Sequence, residues 1–514
     1  MSNLIERWGR FEFSCSGPKV ENPFQDAQLT ARFWQGEQSF EVKGFYDGDN
    51  NYRVRFMPPT VGVWQFQTDG SHAELQNHTG KFEVGEPSVE NHGPVEVAHM
   101  WHFAYADGKP YKPIGTTCYV WTHQSAELQA QTLKSLEASP FNKLRMCVFP
   151  KFYDWNRVEP ALYPFEGEAP NKWNYDRFNP AFFQHLETQI DALLALGIEC
   201  DLILFHPYDD GHWGFDRMAP EVDDAYLCYI TARLSAFRNV WWSLANEYDF
   251  MEEKKPEDWD RFFHIVKEND PFNHLCSIHN GFVLYDHNKP WVSHASIQNG
   301  SAVTDAARAV ILRDAYRKPI VYDEVVYEGD VPRRWGNLSG EEMVHRFWEG
   351  TIAGTYVGHG ETFDRPDEIL WWSKGGTLHG ESPARLGFLL KVLEDGPAEG
   401  LEPIDKWQNP QYAGQASEYY LVYLGANTPS EWKFSLPKAR LSDGMEFEAE
   451  ILDTWNMTVT PVEGTFRTKR RNMYWFEDEA RRSIKLSGNP WMALRLRRVG
   501  ERVEHKEEFV KSLV

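Results

Sequence analysis

The chain has 514 residues, a formal net charge of −23 and 42% hydrophobic residues. This length is too great for one ordinary core and predicts two to four domains. The acidic balance argues against nucleic acid and anionic membranes as partners, because both are bound through basic patches. Aromatic residues reach 15%, which favours either a large aromatic core or a carbohydrate partner, whose apolar sugar faces stack on rings.

The N-terminus and the cysteines bear on the location of the protein. No basic segment followed by an apolar one opens the chain, so we expect no signal peptide. No stretch approaches about 18 uninterrupted apolar residues, so we expect no membrane span. The six cysteines form no CxxC pair, and Cys147, Cys200 and Cys276 lie in apolar runs. We therefore expect a reduced, cytoplasmic protein, although a secreted chain that had lost its signal would look the same.

Residues 1–92 predict an immunoglobulin-like β-sandwich. The segments 28–34, 52–56 and 62–68 alternate apolar and polar residues and are separated by Gly, Asp, Asn and Pro. This period of two, without any helical period, is typical of short antiparallel strands.

Residues 93–398 alternate short apolar runs with amphipathic helices. The predicted strands cover 111–117, 143–149, 199–206, 239–245, 274–279, 292–298, 319–325 and 354–359. The predicted helices cover 124–138, 180–195, 221–237, 256–268, 302–316, 340–353 and 384–395. Eight such repeats predict parallel strands with crossover helices, closed into a (β/α)8 or TIM barrel. Residues 281–290 are too few for a full helix between the fifth and sixth strands.

Residues 399–514 return to a strand pattern, as at 418–424 and 491–497. We predict a second β-sandwich there, ending in a frayed charged tail over 501–514.

Two strand ends carry carboxylates, and catalytic groups of such barrels lie at strand ends. The fourth predicted strand ends in Asn246-Glu247, where burial in an apolar barrel would raise the pKa of Glu247 toward acid/base use. A helix-capping Asn246 beside a solvated Glu247 is the structural alternative. The seventh ends in Asp323-Glu324. Because side chains alternate along a strand, only one of these two is expected to point inward; we favour Glu324, with Glu328 in the following loop as a further alternative.

Two carboxyl groups about 5 Å apart can catalyse glycoside hydrolysis by double displacement, in which one attacks the anomeric carbon and the other protonates the leaving oxygen. The Ala-Asn-Glu motif at 245–247 and the Pro-Ile-Val-Tyr-Asp-Glu motif at 319–324 resemble the catalytic strands of clan A glycoside hydrolases. The layout with two flanking sandwiches resembles the apiosidase-like branch of that clan. The resemblance implies Glu247 as the acid/base and Glu324 as the nucleophile.

The same resemblance implies the surroundings of the two acids. Asn246 would bind the sugar 2-hydroxyl, and Arg145 would form an ion pair that keeps Glu324 ionised. The clan commonly has a tyrosine after strand six that bonds the nucleophile, but residues 296–300 contain none. This departure leaves the neighbourhood of the nucleophile and the sugar specificity open.

Other strand ends supply candidate sugar contacts, although each residue alone is more often a packing or loop residue. They are Thr116, Thr117, Trp121, His206, Asp209, Asp210, His212, Trp213, His279, Asn280, Gln298, His359, Glu361, Trp371 and Trp372. The run 206–212 also holds residue types that bind cations, but it matches no diagnostic metal spacing. A turn with a sugar-binding histidine is favoured there, and we expect no metal and no cofactor.

The sequence thus predicts a retaining, exo-acting glycoside hydrolase that cleaves small oligosaccharides or glycosides. The main alternative is a carbohydrate-binding or scaffold protein on the same fold without catalysis, and a third is a metal-dependent barrel hydrolase. No feature indicates an oligomeric state.

Overall fold

The structure is a computed structural model, and it describes residues 4–298 and 306–500. None of the described helices is long and apolar enough to cross a membrane. The chain divides into two compact units, Met1–Ser301 with Leu312–Met343 and Thr355–Gly387, and Ala302–Ile311 with Val344–Gly354 and Phe388–Val514.

The N-terminal region is a β-sandwich, as predicted. One sheet contains Leu4–Glu6, Leu29–Gln35, Gln38–Lys43, Gly62–Gly70 and Thr79–Gly85, and the other Phe11–Ser16, Phe45–Tyr46 and Asn51–Phe56. Their inner faces share one aromatic core, in which Phe33 stacks on Phe56 with ring centres 4.3 Å apart.

The central region is the predicted barrel. Its eight strands are Gly115–Thr117, Lys143–Cys147, Glu199–Phe205, Val240–Ala245, Cys276–Ser277, Ala295–Gln298, Ile320–Glu324 and Tyr356–His359. In barrel numbering they follow the order 5-4-3-2-1-8-7-6, and every pair is parallel. A parallel bridge between His279 and Ser296 joins strands five and six and closes the ring.

Among the described residues, seven long helices alternate with these strands along the chain, and their starts follow the sequence closely. They are Ala126–Glu137, Pro180–Ala195, Pro220–Leu234, Pro256–Asn269, Ala306–Tyr316, Gly340–Ile352 and Ser382–Glu394. Three begin with proline, which fits the first turn because it lacks only an N–H that would have no partner there. Residues 302–305 of the predicted fifth helix lie outside the described residues. As predicted, no helix lies between strands five and six.

The N-terminal end of the barrel is closed by a small sheet that the sequence did not predict. Its strands are Val95–Ala98, His102–Tyr105 and Pro110–Tyr111, so the predicted strand 111–117 is in fact split. Phe103 and Tyr111 from this sheet pack on Trp241 inside the barrel. Functional side chains are therefore directed to the opposite, C-terminal end, as is usual for this fold.

A buried ion network joins the sandwich to the barrel. Glu187 lies between two guanidinium groups, 2.8 Å from Arg55 of the sandwich and 2.7 Å from Arg233 of the barrel. Arg233 also pairs with Asp47 of the sandwich at 2.8 Å. Because removing one member of a buried pair strands the other charge, this network fixes the sandwich against the barrel helices.

The C-terminal region is rich in β-structure, as predicted. One sheet has nine strands, Glu402–Pro403, Tyr412–Gln415, Tyr419–Gly425, Ser435–Pro437, Glu446–Asp453, Thr458–Pro461, Phe466–Arg470, Trp475–Asp478 and Met492–Arg498. A second pairs Glu431–Lys433 with Ser483–Lys485. Both surround a single apolar core. The predicted tail, 501–514, lies outside the described residues, and the domain limits 1–92, 93–398 and 399–514 stay a prediction.

Candidate active site

Glu247 lies directly beyond the end of barrel strand four. Its backbone adopts a left-handed conformation, with φ 48°, which is rare outside glycine and is concentrated at functional sites. The side chain is only 6% exposed. Its carboxylate accepts hydrogen bonds from the Tyr208 hydroxyl and from Asn246 Nδ2, the latter at 3.1 Å. Burial and the charge of Glu324 raise the pKa of Glu247 to about 8, so it holds a proton at neutral pH.

Glu324 lies at the end of strand seven, close to the same centre. Its Oε1 accepts a hydrogen bond from the Tyr119 hydroxyl and one of 3.1 Å from Arg145 Nη1. His279 Nε2 is 3.5 Å from the same oxygen. Burial and the neighbouring Glu324 raise the pKa of Tyr119 well above its ordinary value, so this hydroxyl remains a donor.

Asn246 connects the surroundings of the two acids. Its Oδ1 accepts a hydrogen bond of 2.7 Å from Arg145 Nη1 and lies 3.2 Å from the Tyr119 hydroxyl. Its Nδ2 donates to Glu247. A continuous polar chain therefore runs from Glu247 through Asn246 to Arg145, Tyr119 and Glu324.

Asp323 and Glu324 both point into the barrel, so the expectation that only one would do so is wrong. Ser296 of strand six pairs with Val321 of strand seven, but Gln298 pairs with Glu324. Strand seven therefore advances by three residues where strand six advances by two, so strand seven contains one extra residue here. This irregularity breaks the alternation and turns consecutive acids the same way.

Asp323 occupies a deeper layer of the barrel interior than Glu324. Its carboxylate bonds Lys143 Nζ at 2.8 Å and Ser296 Oγ at 2.5 Å. Although burial opposes ionisation, Lys143 and Arg145 hold the pKa of Asp323 well below its ordinary value. Both of its oxygens are thereby engaged, whereas Glu324 lies at the strand end beside Glu247.

A buried lysine lies next to the two acids, and sequence analysis missed it. The Nζ of Lys151 is 3.4 Å from the ring centre of Tyr119, 4.3 Å from that of Tyr208 and 5.3 Å from that of Tyr153. Its positive charge lowers the pKa of Glu247 against the opposing effects of burial and Glu324. Lys151 and Tyr119 follow strands two and one in loops with no recognisable motif; only their positions just past strand ends could have indicated them.

Trp372 lies at this end of the barrel in an aromatic cluster. Its ring centre is 5.6 Å from Tyr119 and 4.9 Å from Trp335. Trp335 is in turn 6.0 Å from Trp155. Of these rings, sequence analysis selected only Trp372. The cluster offers flat apolar surfaces of the kind on which sugar rings stack.

Gln298 and Asn280 lie together beside Glu247. The side chain of Gln298 donates a hydrogen bond that favours the ionised form of Glu247. Asn280 Oδ1 accepts from the backbone N–H of Gln298 at 3.3 Å, so it positions that residue.

Four predicted sugar contacts are wrong because they lie on the outer side of the barrel wall: Thr116, Trp121, His359 and Trp371. Arg145 points inward, so Leu144 beside it points outward. Thr116 pairs with Leu144 on one side and with His359 on the other, so both of these residues also point outward. His359 Nδ1 is accordingly bonded to Thr116 Oγ1 at 2.9 Å, and Trp371 Nε1 donates to the same oxygen. Trp121 is likewise fully buried and donates to the sulfur of the outward-pointing Met146.

His206 is also unsuited to bind a sugar, because both ring nitrogens are engaged by the backbone. Nε2 bonds the carbonyl of Phe149 at 3.1 Å, and Nδ1 accepts from the N–H of Tyr208 at 3.1 Å. Asp209 accepts from the N–H of Phe215, while His212 pairs with Glu159 at 2.5 Å. Within the described residues the run 206–212 forms a turn and no metal cluster.

Comparisons with known proteins identify the family of the chain. Residues 99–375, more than half of the chain, match the family described as apiosidase-like catalytic domain. Residues 4–71 and 407–497 match two domains of unknown function, DUF5060 and DUF5605. No curated protein matches the chain.

Solved structures extend the likeness to the whole molecule. A candidate glycoside hydrolase from Bacteroides vulgatus ATCC 8482 is 44% identical, with 96% of this chain and 100% of that one covered and a TM-score of 0.94. A glycoside hydrolase of family 5 from the same organism is 14% identical, with 79% and 93% covered and a TM-score of 0.59, and shows the fold alone. The chain therefore belongs to the apiosidase-like family and is a glycoside hydrolase.

Proposed function

We propose that this glycoside hydrolase retains anomeric configuration, with Glu247 as acid/base and Glu324 as nucleophile. The observation that carries the proposal is the pairing of these two buried carboxyl groups at the ends of strands four and seven. Their environments differ in the way that the two roles demand. Glu247 has a raised pKa, whereas Glu324 is ion-paired with Arg145.

In the first step, Glu324 attacks the anomeric carbon while Glu247 gives its proton to the departing glycosidic oxygen. The bond to the leaving group breaks as the bond to Glu324 Oε forms, and an alcohol departs. Once a covalent ester replaces the charge of Glu324, the main repulsion that raises the pKa of Glu247 is removed. Glu247 can then serve as a base.

In the second step, Glu247 takes a proton from a water molecule, which attacks the anomeric carbon and releases Glu324. Two inversions give net retention. Asn246 bonds the 2-hydroxyl, and the buried Arg145 positions Asn246 and Glu324 through its hydrogen bonds to both side chains. Trp372, Gln298, Asn280 and His279 complete the proposed sugar site.

We further propose exo action on small glycosides in the cytoplasm. The support is the presence of six cysteines that are all free thiols, four of them buried. A reducing compartment preserves such thiols, and polymers do not reach it.

The variant Glu247→Gln tests the acid role. It should nearly abolish hydrolysis of substrates with alkyl leaving groups and spare activated aryl glycosides, because these need little protonation. Azide should rescue the variant and give a glycosyl azide of retained configuration. Glu199→Gln is a matched control, since Glu199 is a buried carboxyl whose pKa burial raises to about 8 and which bonds Trp241 instead. Equal loss on both substrate classes would refute the acid role, and no hydrolysis of any glycoside by the unmodified protein would favour the non-catalytic alternative.

A further inference from the structure

Three ligand-type side chains converge on the outer side of the barrel wall, apart from the proposed catalytic pair. They are Glu328, His359 and Glu361, all buried, with one potential ligand atom from each lying within 4.8 Å of the others. His359 ends strand eight. Glu328 and Glu361 begin two short strands, Glu328–Gly329 and Glu361–Thr362, that pair in parallel beyond strands seven and eight. The topology thus brings the three together from separate loops.

Two atoms of this cluster are buried without a hydrogen-bond partner. His359 Nε2 and Glu361 Oε1 face each other at 3.7 Å, which is too long for a hydrogen bond. The opposite ring nitrogen of His359 is held by Thr116 Oγ1, so the ring is fixed with its unpartnered nitrogen directed at the carboxylate. Buried polar atoms are rarely left without a partner, and a bound ion is one of the recognised reasons for such a pair.

Hydrogen bonds from residues 379–382 fix the positions of the two carboxylates. Glu328 accepts hydrogen bonds from the N–H of Glu381 at 2.7 Å and from the N–H and hydroxyl of Ser382 at 3.2 and 2.5 Å. Glu361 Oε2 accepts from the N–H of His379 at 2.7 Å, which leaves Oε1 directed at His359. Outer hydrogen bonds of this kind orient the ligands of protein metal sites.

Gly380 permits the carboxylates to approach each other. A Cβ atom at this position would lie 2.4 Å from Glu328 Oε2 and 2.5 Å from Glu361 Oε1. Any side chain here would therefore push one or both carboxylates away. The backbone of the 379–382 segment and the two acids form one closely fitted shell.

We propose that Glu328, His359 and Glu361 bind a structural divalent cation of the Zn²⁺ class. One imidazole nitrogen with two carboxylates is a ligand set that suits zinc and its first-row neighbours. Zinc ligands at about 2.0–2.2 Å lie roughly 3.4 Å apart in tetrahedral geometry, so the three atoms need to move by little more than about 1 Å. The ion would offset two buried negative charges and tie strand eight to the loop after strand seven and to the start of the last barrel helix.

This cation is distinct from the chemistry proposed above, because its ligands face away from the barrel interior. The test therefore uses metal content, spectra and stability. The full chain is purified without chelator, its metals are measured by plasma mass spectrometry, and a stripped sample is titrated with ZnCl₂ or CoCl₂. We expect about one Zn²⁺ per chain, a rise of several degrees in the melting temperature on adding it back, and visible absorption bands of a low-symmetry Co²⁺ complex.

Variants of its ligands and of Gly380 test whether the cation binds at this cluster. Glu361→Gln and Gly380→Ala should each lower Zn²⁺ binding at least tenfold, while the control Glu199→Gln, another buried carboxyl of the barrel, should bind one Zn²⁺ as before. If Glu361→Gln does not fold, Gly380→Ala and the Co²⁺ spectrum of the unmodified protein still decide. Fewer than about 0.1 metal ions per chain with no change in melting temperature on adding Zn²⁺, or full binding by both variants, would overturn the proposal.

Discussion

Lys151→Met should raise the pKa of Glu247, because it removes a positive charge that favours the carboxylate. The ammonium lies 4.3 Å from the ring centre of Tyr208, whose hydroxyl bonds Glu247. The two charges are therefore at most about 10 Å apart, and at about 6–10 Å with an effective dielectric constant near 20 they attract by about 1.7–2.8 kcal/mol. At about 1.4 kcal/mol per pKa unit, the expected shift is one to two units upward.

The assay is the pH dependence of kcat/KM on an aryl glycoside. In the unmodified enzyme the rate should fall above a pKa of about 8, as Glu247 loses its proton. In Lys151→Met this alkaline limb should move to higher pH, and Lys151→Arg, which keeps the charge, should leave it near its original position. An alkaline limb that stays in place or moves to lower pH in Lys151→Met would refute the electrostatic argument.

Two further changes test the surroundings. Tyr119→Phe removes a hydrogen bond to a carboxylate, worth about 1.5–3 kcal/mol, and should lower kcat/KM by about 10- to 100-fold. The control Tyr226→Phe removes a hydroxyl that donates to the backbone of Leu204 and should change kcat/KM little. Equal effects of the two variants would contradict the role of Tyr119. Glu187→Gln should lower the free energy of unfolding by about 1.5–3 kcal/mol in urea at pH 7, since it removes the carboxylate that Arg55 and Arg233 share and leaves Arg55 with Glu12 and Arg233 with Asp47. Although burial opposes ionisation, these arginines lower the pKa of Glu187. The contribution of Glu187 to stability should therefore be complete above the unfolded pKa of about 4.3 and be lost as the pH falls through the lower folded pKa. A loss of stability in Glu187→Gln that persisted undiminished under acid conditions would contradict this.

The fold could be predicted from sequence because nearby residues mark where each helix and strand begins or ends. Apolar runs mark all eight strands, and Pro180, Pro220 and Pro256 mark helix starts. Asn246, Glu247, Arg145 and Glu324 come together because ends of parallel strands share one edge of a barrel.

The site predictions that were wrong concern the direction in which a side chain points. His359 and Trp371 were placed at the right strand ends but on the wrong side of the wall, since facing depends on register with neighbouring strands. The irregular pairing that turns both Asp323 and Glu324 inward has no counterpart in a simple period of two. A tyrosine that bonds Glu324 is Tyr119 after strand one, whereas the resemblance implied a tyrosine after strand six.

The most direct test of the central claim is covalent trapping of the nucleophile. A 2-deoxy-2-fluoro glycoside with a good leaving group should inactivate the enzyme stoichiometrically, because the fluorine slows release of the glycosyl-enzyme more than its formation. Peptide mapping should find the sugar on Glu324, and the first product of a normal substrate, followed by NMR, should keep its anomeric configuration. A label on Asp323 or Glu328, or a product of inverted configuration, would contradict the account.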